Sequence, residues 1–588
     1  MTKVLQNFIY PSNQTLGSKE KYLRVEGNVF FGNDKLEMTK FANVQFDTYY
    51  NAFSIPLWRE NVGLADAQFT ISGSGTVDVE LWHLSNRNIK EFKGIVTVDL
   101  TDDARIIYDL DLNETFAYSG LVYVKLVAKS DVQITKMTWE TKADYRRDAK
   151  LGISVTHFNR KAYVLPAIKR IKDGLLDIAE WQDKIDFIVV DNSKNITEEE
   201  AMGVTIIPNE NTGGSGGFTR GFLHYKNDTD ATHVLFMDDD ASLEIESIKR
   251  AYQILAYAEK DNTAVGAALF YEDRPDMLIE RGARLDPKAT WLAKFRDTNA
   301  SNAGDVLGQE LDEEKNEYFG WWFNAFPIAY TDHLTLPYFV RGDDVSFGVL
   351  NKFHMVMGNG IAAIAENFDY KVAAMTEYLD LRNKLLVHSL FINKPSRMVP
   401  YYWKLVLESV LAGRYGFTKV YRMALRDFMR MTPEWMVSNA DMQNNMALIK
   451  QASAENALHE INLDDYDLVR TNSLAEDSKT TIWRRITLNK LFFPLRKDKV
   501  IFQPYMRVPA YRQISGFRKI LYVNPENGKG FIAEINRLKT VGGLIAGFFD
   551  GIRLLFAYGR VRSRMRKALP YLTSEKMWDQ ILNLKEEN

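Results

Sequence analysis

The sequence predicts a three-part α/β protein: an α/β domain with a mainly parallel sheet between an N-terminal β-sandwich and a helical C-terminal domain. Three observations carry this reading. Residues 1 to 148 hold short β-branched and aromatic runs between turn clusters, residues 149 to 395 alternate strand and helix patterns, and residues 396 to 588 read as helical. At 588 residues the chain is several times the usual domain length, so several units are expected rather than one core.

The N-terminal runs AQFTISG, TVDVELWHL and GLVYVKLVAK lie between Gly, Asn and Asp clusters, the pattern of a jelly-roll-like sandwich. Its Trp58, Trp82 and Trp139 serve either as platforms for a sugar or as core residues, and packing is the favoured reading because buried Trp is common in such cores. After TKADYRRDAK come the strand LGISVTHFN, a helical stretch, the strands IDFIVVD and VTIIPN, a glycine loop with a helix, and the strand THVLFMDDD. Such alternation means a mainly parallel sheet covered on both faces, with ligands bound beyond the carboxyl ends of its strands. Beyond residue 400 the stretch Val541 to Leu569 places apolar residues ahead of Arg560, Arg562, Arg564, Arg566 and Lys567. Either this helix packs on its own domain with a solvated basic end, or it lies on an anionic membrane surface.

Composition narrows the chemistry. With 46% hydrophobic and 26% charged residues the chain is globular, and Lys+Arg 74 against Asp+Glu 77 gives no overall reason to expect nucleic acid. The absence of cysteine excludes disulfides, thiolate metal sites and cysteine nucleophiles, so any metal must use oxygen or imidazole. The start, MTKVLQNFIYPSNQ, lacks the pattern of a secretory signal, and no uncharged apolar run reaches about 18 residues. A cytoplasmic protein is expected, with at most peripheral membrane contact.

Asp238, Asp239 and Asp240 follow the apolar strand HVLFM. In extended chain alternate side chains share a face, so Asp238 and Asp240 are expected together, and oxygen-only ligation suits Mg²⁺ or Mn²⁺. A solvated acidic turn is the plainer alternative. About twenty residues upstream, Asn211-Thr212-Gly213-Gly214-Ser215-Gly216-Gly217 would let backbone approach an anion, although it completes neither G-x-x-x-x-G-K-[ST] nor G-x-G-x-x-G. Asp191 closes a strand where a carboxylate can meet a nucleoside, and His157, Asn159 and Arg160 follow the first strand. Further on, Asp343 and Asp344 form a second carboxylate pair able to take a proton from a hydroxyl, and Trp321 and Trp322 offer faces for a sugar.

Taken in order, FNR, an Asp-ended strand, N-x-GGSGGF-x-RG, DDD, GWWF and FVR-x-DD resemble the inverting glycosyltransferases with a GT-A fold, most closely the bacterial galactofuranosyltransferases of cell-wall or capsular galactan. The resemblance implies an α/β GT-A domain, a Rossmann-like nucleotide-diphospho-sugar transferase, over about residues 150 to 390, with Asp238 and Asp240 holding Mn²⁺ or Mg²⁺. It places Phe158, Asn159, Arg160, Asp191, Asn211, Gly213, Gly214, Ser215, Gly216, Gly217, Arg220 and Asp239 around a UDP-sugar donor. It makes Asp344 the base, with Asp343, Trp321 and Trp322 on the acceptor. The implied reaction moves galactofuranose from UDP-galactofuranose, with inversion, to a hydroxyl of a cell-surface or polyprenyl-linked glycan. Read as a packing and oligomer-forming domain, the N-terminal sandwich allows a homo-oligomer.

Two positions depart from the family pattern. Ala365 stands where a metal-binding His is expected, and Gly342 stands where a Trp precedes the base pair. Either Glu366 supplies a third ligand, the metal is held more weakly, or catalysis is impaired. Another nucleotide sugar (galactose, glucose or rhamnose) would use the same groups. A nucleotidyltransferase would add a basic pyrophosphorylase-type loop, which is not evident, and a non-catalytic glycan-binding or assembly subunit is the remaining alternative.

Overall fold

The structure, a computed structural model, describes residues 2–11, 17–32, 35–368, 371–470, 486–507 and 513–584. The N-terminal part is built on one long strand, Asp66–Ser85, whose first half pairs with Arg105–Asp111 and Val132–Thr141 and whose second half pairs with Lys90–Leu100 and Gly120–Ala128. It passes between the two layers at Gly73 and Gly75, where a Cβ would lie 2.0 Å from the Gln133 carbonyl and 2.3 Å from that of Asp131. Only glycine allows so close an approach. Trp58 and Trp139 are wholly buried in this core, so no sugar reaches them, whereas Trp82 is half-buried against Phe92.

The central sheet is formed by β1 (Leu151–His157), β2 (Ile185–Asp191), β3 (Thr205–Pro208), β4 (His233–Asp238), β5 (Thr263–Gly266), β6 (Asn324–Pro327) and β7 (His354–Val356), in the order β3-β2-β1-β4-β6-β5-β7. Strands β1 to β4 are mutually parallel, and β6 alone runs against both its neighbours. The strands are near-continuous apolar runs because both faces are covered. The sandwich packs onto this domain through a shared apolar core. Buried Arg250 also reaches across, donating to the Tyr50 carbonyl at 2.6 Å and the Asn7 carbonyl at 2.8 Å.

Helix α1 (Gly213–Asp228) lies on the sheet, α2 (Asp343–Asn351) follows the second carboxylate pair, and α3 (Ala374–Val387) leads into the C-terminal part. There α4 (Pro395–Leu411), α5 (Tyr415–Arg430) and α6 (Arg537–Leu572) share one apolar core. This part is not wholly helical: Leu468–Val469, Arg496–Pro504, Phe517–Val523 and Gly530–Glu534 form a four-stranded sheet. The sequence KILYVNPENGKGFIAE does contain two apolar runs around a turn-rich segment, but each is too short to stand out among helical patterns.

Candidate active site

Sheet register gathers the site. His157 pairs with Asp191 across β1 and β2, and Thr156 pairs with Asp238 across β1 and β4, so three strand ends deliver polar groups to one edge at nearly one level. From the opposite side, Ser242–Leu243, just after the Asp triplet, pairs with Ala362–Ala365. That pairing brings Glu366 beside Asp240.

The result is a continuous polar chain. Asp191 accepts from the backbone of Ser193 at 2.9 Å, Asn195 at 2.7 Å and Ile196 at 2.9 Å, and from the Ser193 hydroxyl at 2.8 Å. Burial would raise its pKa, but these bonds hold it below the ordinary carboxylate range. The buried His157 ring lies 3.2 Å from the Asn195 side-chain oxygen and 3.3 Å from Asp239. Arg160 contacts Asp239 at 3.3 Å and Asp240 at 2.8 Å, with its guanidinium stacked over Tyr163. Lys371 closes the chain, 3.2 Å from Asp240 and 3.0 Å from Glu366, and Glu366 accepts from the Tyr163 hydroxyl at 3.0 Å.

Asp238 is the exception. No described side chain pairs with it, and desolvation together with the charges of Asp240 and Asp239 pushes its pKa up to about 8. Strand β4 ends at Asp238, so the alternation expected along the triplet stops there, and Asp239 and Asp240 occupy a turn. Among the described residues no group of three His, Asp or Glu side chains stands close enough to hold a metal ion. The donor set still suits a hard divalent cation, with carboxylate oxygens only and four carboxylates against two cationic side chains. Asp238 and Asp240 would hold it; Glu366 reaches the site only through Lys371.

The glycines serve the protein more than an anion. Helix α1 starts at Gly213, so the expected loop is the first turn of a helix. A Cβ at Gly213 would lie 2.1 Å from the Phe339 carbonyl, one at Gly216 1.7 Å from Thr212, and one at Gly217 2.3 Å from Thr156; only at Gly214 would a Cβ meet its neighbours at ordinary contact distance, 3.7 Å from Asp343 and Val340. These contacts seat α1 on β1 and on the segment carrying the second carboxylate pair. Asn211 caps the turn by accepting from the Gly213 backbone at 3.1 Å, Arg220 is partly exposed farther along α1, and Phe158 and Asn159 project outward after β1.

That second segment is unusual backbone. Phe339, Arg341 and Gly342 all have left-handed φ, at 77°, 72° and 89°. At Gly342, the position of the Trp-to-Gly departure, glycine takes this conformation without the strain that Phe339 and Arg341 bear. Asn383 of α3, fully buried, donates to the Val340 and Arg341 carbonyls at 2.9 Å each, and Arg382 donates to the Tyr338 carbonyl at 2.8 Å. Asp343 then accepts from the Ser215 hydroxyl at 2.9 Å, while Asp344 is less covered. Burial and the Asp343 charge push Asp344 up to about 7, despite the helix N-terminus beneath it. Burial and the Asp344 charge push buried Glu280 well above the ordinary carboxylate range, so it stays protonated beside Asp344.

Trp321 does not line this space. Its ring is 5% exposed, packed edge-on against Phe218, Phe236 and Phe347, and this corrects the acceptor role expected for it. Trp322 remains half-buried, its indole N–H on the Ala267 carbonyl at 3.4 Å. Lys371, Glu280 and the α3 contacts had no local signal, because each acts across the fold; Tyr163 could have been found as the residue one turn after Arg160.

The site is thus the edge of a largely parallel sheet presenting two carboxylate pairs beside a glycine-started helix. Residues 153–302 match the family described as Glycosyl transferase family 2. Residues 18–142 match Galactofuranosyltransferase 2 N-terminal. Galactofuranosyltransferase GlfT2 of Mycolicibacterium smegmatis is 23% identical over 607 residues, covering 93% of this chain and 90% of that protein. GlfT2 of Mycobacterium tuberculosis is 23% identical over 430 residues, covering 67% and 66%. Among solved structures, GalNAc-T7 with UDP, GalNAc and Mn²⁺ overlaps 44% of this chain and 50% of its own, at 8% identity and a TM-score of 0.33. The central part of the chain thus matches a glycosyltransferase family, and the chain is similar to the galactofuranosyltransferase GlfT2 along most of its length.

Proposed function

We propose that the protein transfers galactofuranose from UDP-galactofuranose, with inversion, to a hydroxyl of a cell-surface or polyprenyl-linked glycan, in a reaction that depends on Mn²⁺ or Mg²⁺. The observation that carries this is the convergence of Asp238/Asp240 and Asp343/Asp344 at one sheet edge, close enough that the Asp343 charge raises the Asp238 pKa. Asp344 takes the proton of the acceptor hydroxyl as its oxygen bonds to the anomeric carbon. The bond from that carbon to the diphosphate oxygen breaks on the opposite face. Asp343, fixed by Ser215, orients the acceptor, and Arg160 lies where it can meet the donor phosphates. A divalent ion, when bound, stabilises the charge growing on the departing diphosphate. The donor specificity is supported by the end-to-end similarity to proteins named galactofuranosyltransferase. The cytoplasmic side of a membrane suits a lipid-linked acceptor, and exposed apolar and basic residues of α6 suit contact with that surface.

The test is donor hydrolysis and transfer with UDP-galactofuranose and competing UDP-sugars, with and without Mn²⁺, on wild type and Asp344→Asn. Metal-dependent turnover of the galactofuranose donor, lost by 10²-fold or more in the variant while UDP still binds, is expected. Turnover of another UDP-sugar instead would change the donor. Folded protein that binds no nucleotide would favour a non-catalytic glycan-binding role.

A further inference from the structure

The geometry points to Lys371 as a tethered cation that competes with the divalent metal for Asp240 and Glu366. This rests on the metal-dependent reading above. The Lys371 ammonium lies 3.2 Å from Asp240 Oδ2 and 3.0 Å from Glu366 Oε2, bridging a strand-end carboxylate to the carboxylate that follows Ala365. Asp240 Oδ2 is also the atom that Arg160 contacts at 2.8 Å. One oxygen therefore already receives two cationic donors, and a metal ion bonded to that oxygen at about 2.0–2.2 Å would displace one of them, while one held through Oδ1 would sit beside both cations.

Which one leaves follows from how each is held. Arg160 is tied by Asp239 as well as Asp240, and its planar guanidinium is stacked on Tyr163. Lys371 is bound by the two carboxylates and sits at the end of a flexible four-carbon stem, 29% exposed, with a distant contact to the Phe368 ring at 5.7 Å and the Glu526 carboxyl in its electrostatic neighbourhood. Lysine is the exchangeable cation. Its departure frees one carboxylate on each side of the place it occupied, so Glu366 becomes available to a metal only when Lys371 withdraws. The metal must then overcome two ion pairs of intermediate burial before it binds, which weakens its apparent affinity. The released ammonium has the donor diphosphate as its new anionic neighbour, so donor and metal together favour the exchange where metal alone does so weakly.

The experiment measures Mn²⁺ binding to the full-length protein without nucleotide, and again with UDP, for wild type, Lys371→Met and Lys371→Arg. Thermal unfolding of each shows that the fold is kept, and Asp238→Asn in the Lys371→Met background locates the ion. Lys371→Met is expected to bind Mn²⁺ alone about tenfold more tightly than wild type, and Lys371→Arg no more tightly. It is also expected to gain less from UDP than wild type does. A residue that merely braced the site would lose affinity in both measurements, and equal or weaker Mn²⁺ binding by folded Lys371→Met overturns the inference. Absence of Mn²⁺ binding to wild type and variant alike, with UDP present, overturns the metal reading itself and this inference with it.

Discussion

In the proposed reaction Asp344 is the base, and its surroundings bear directly on that role. Held near a pKa of about 7 by burial and by the Asp343 charge, it is half ionised where an ordinary aspartate would be fully so. A base must be deprotonated, so kcat/KM is expected to rise with pH through about 7, and a pH profile with its ascending limb near 4 would remove Asp344 from that role. The same shift bears on stability with the opposite sense. A carboxyl whose folded pKa lies above its unfolded value binds more protons when folded, so its contribution is full below about pH 4 and fades as pH rises through 7. Asp344→Asn should therefore lose activity yet melt higher than wild type at pH 8, with the gap closing near pH 5, which paired thermal scans would show. Asp344 and the Asp triplet were legible in the sequence because a carboxylate pair after an apolar run is a local pattern. Lys371 was not, since nothing in the residues around it announces that it folds back onto Asp240.

At the scale of elements, α1 and α3 act together as a clamp on the segment Tyr338 to Asp344. The glycines of α1 permit the approach from one side, and Asn383 with Arg382 ties the left-handed turn from the other. Read as sequence, GGSGG suggests a cradle for phosphate; the structure spends most of it on packing, and only steric detail across the fold distinguishes the two uses. Gly217→Ala places a methyl group against Thr156 and is expected to destabilise by about 1–3 kcal/mol, measurable by denaturant unfolding. Asn383→Ala should act differently, because it frees two carbonyls next to the base without touching substrate. A fall in kcat with little change in UDP affinity is expected, and a purely global loss of stability with kcat intact would reassign Asn383 to the core alone. The alternation of strands and helices over residues 149 to 395 was readable from period and run length, whereas the small C-terminal sheet was hidden in a helical setting.

Across the described residues, α6 carries a conspicuously apolar exposed face. Its inner face is committed, with Asp550 buried and paired to Arg422 at 2.6 Å and Arg553 at 3.1 Å, and Leu554, Tyr558, Val561 and Met565 in the core. Its outer face carries Ile545, Phe548, Phe549, Leu555 and Phe556, between 47% and 74% exposed, followed by Arg560, Arg566 and Lys567 on the same side. The helix is long and apolar enough to cross a membrane by composition, but a buried ion pair and a packed inner face suit one that lies along a surface. Sedimentation with vesicles is then expected to show binding to anionic but not to neutral lipid, weakened by salt and abolished when Phe548, Phe549 and Phe556 are changed to Ser. Transfer to a short soluble acceptor should be unchanged in that variant, since none of the three residues approaches the carboxylates. Equal recovery of the variant and wild type with the vesicles would leave the exposed face to another partner, and a change in oligomeric state on the same substitutions would identify a second copy of the chain as that partner.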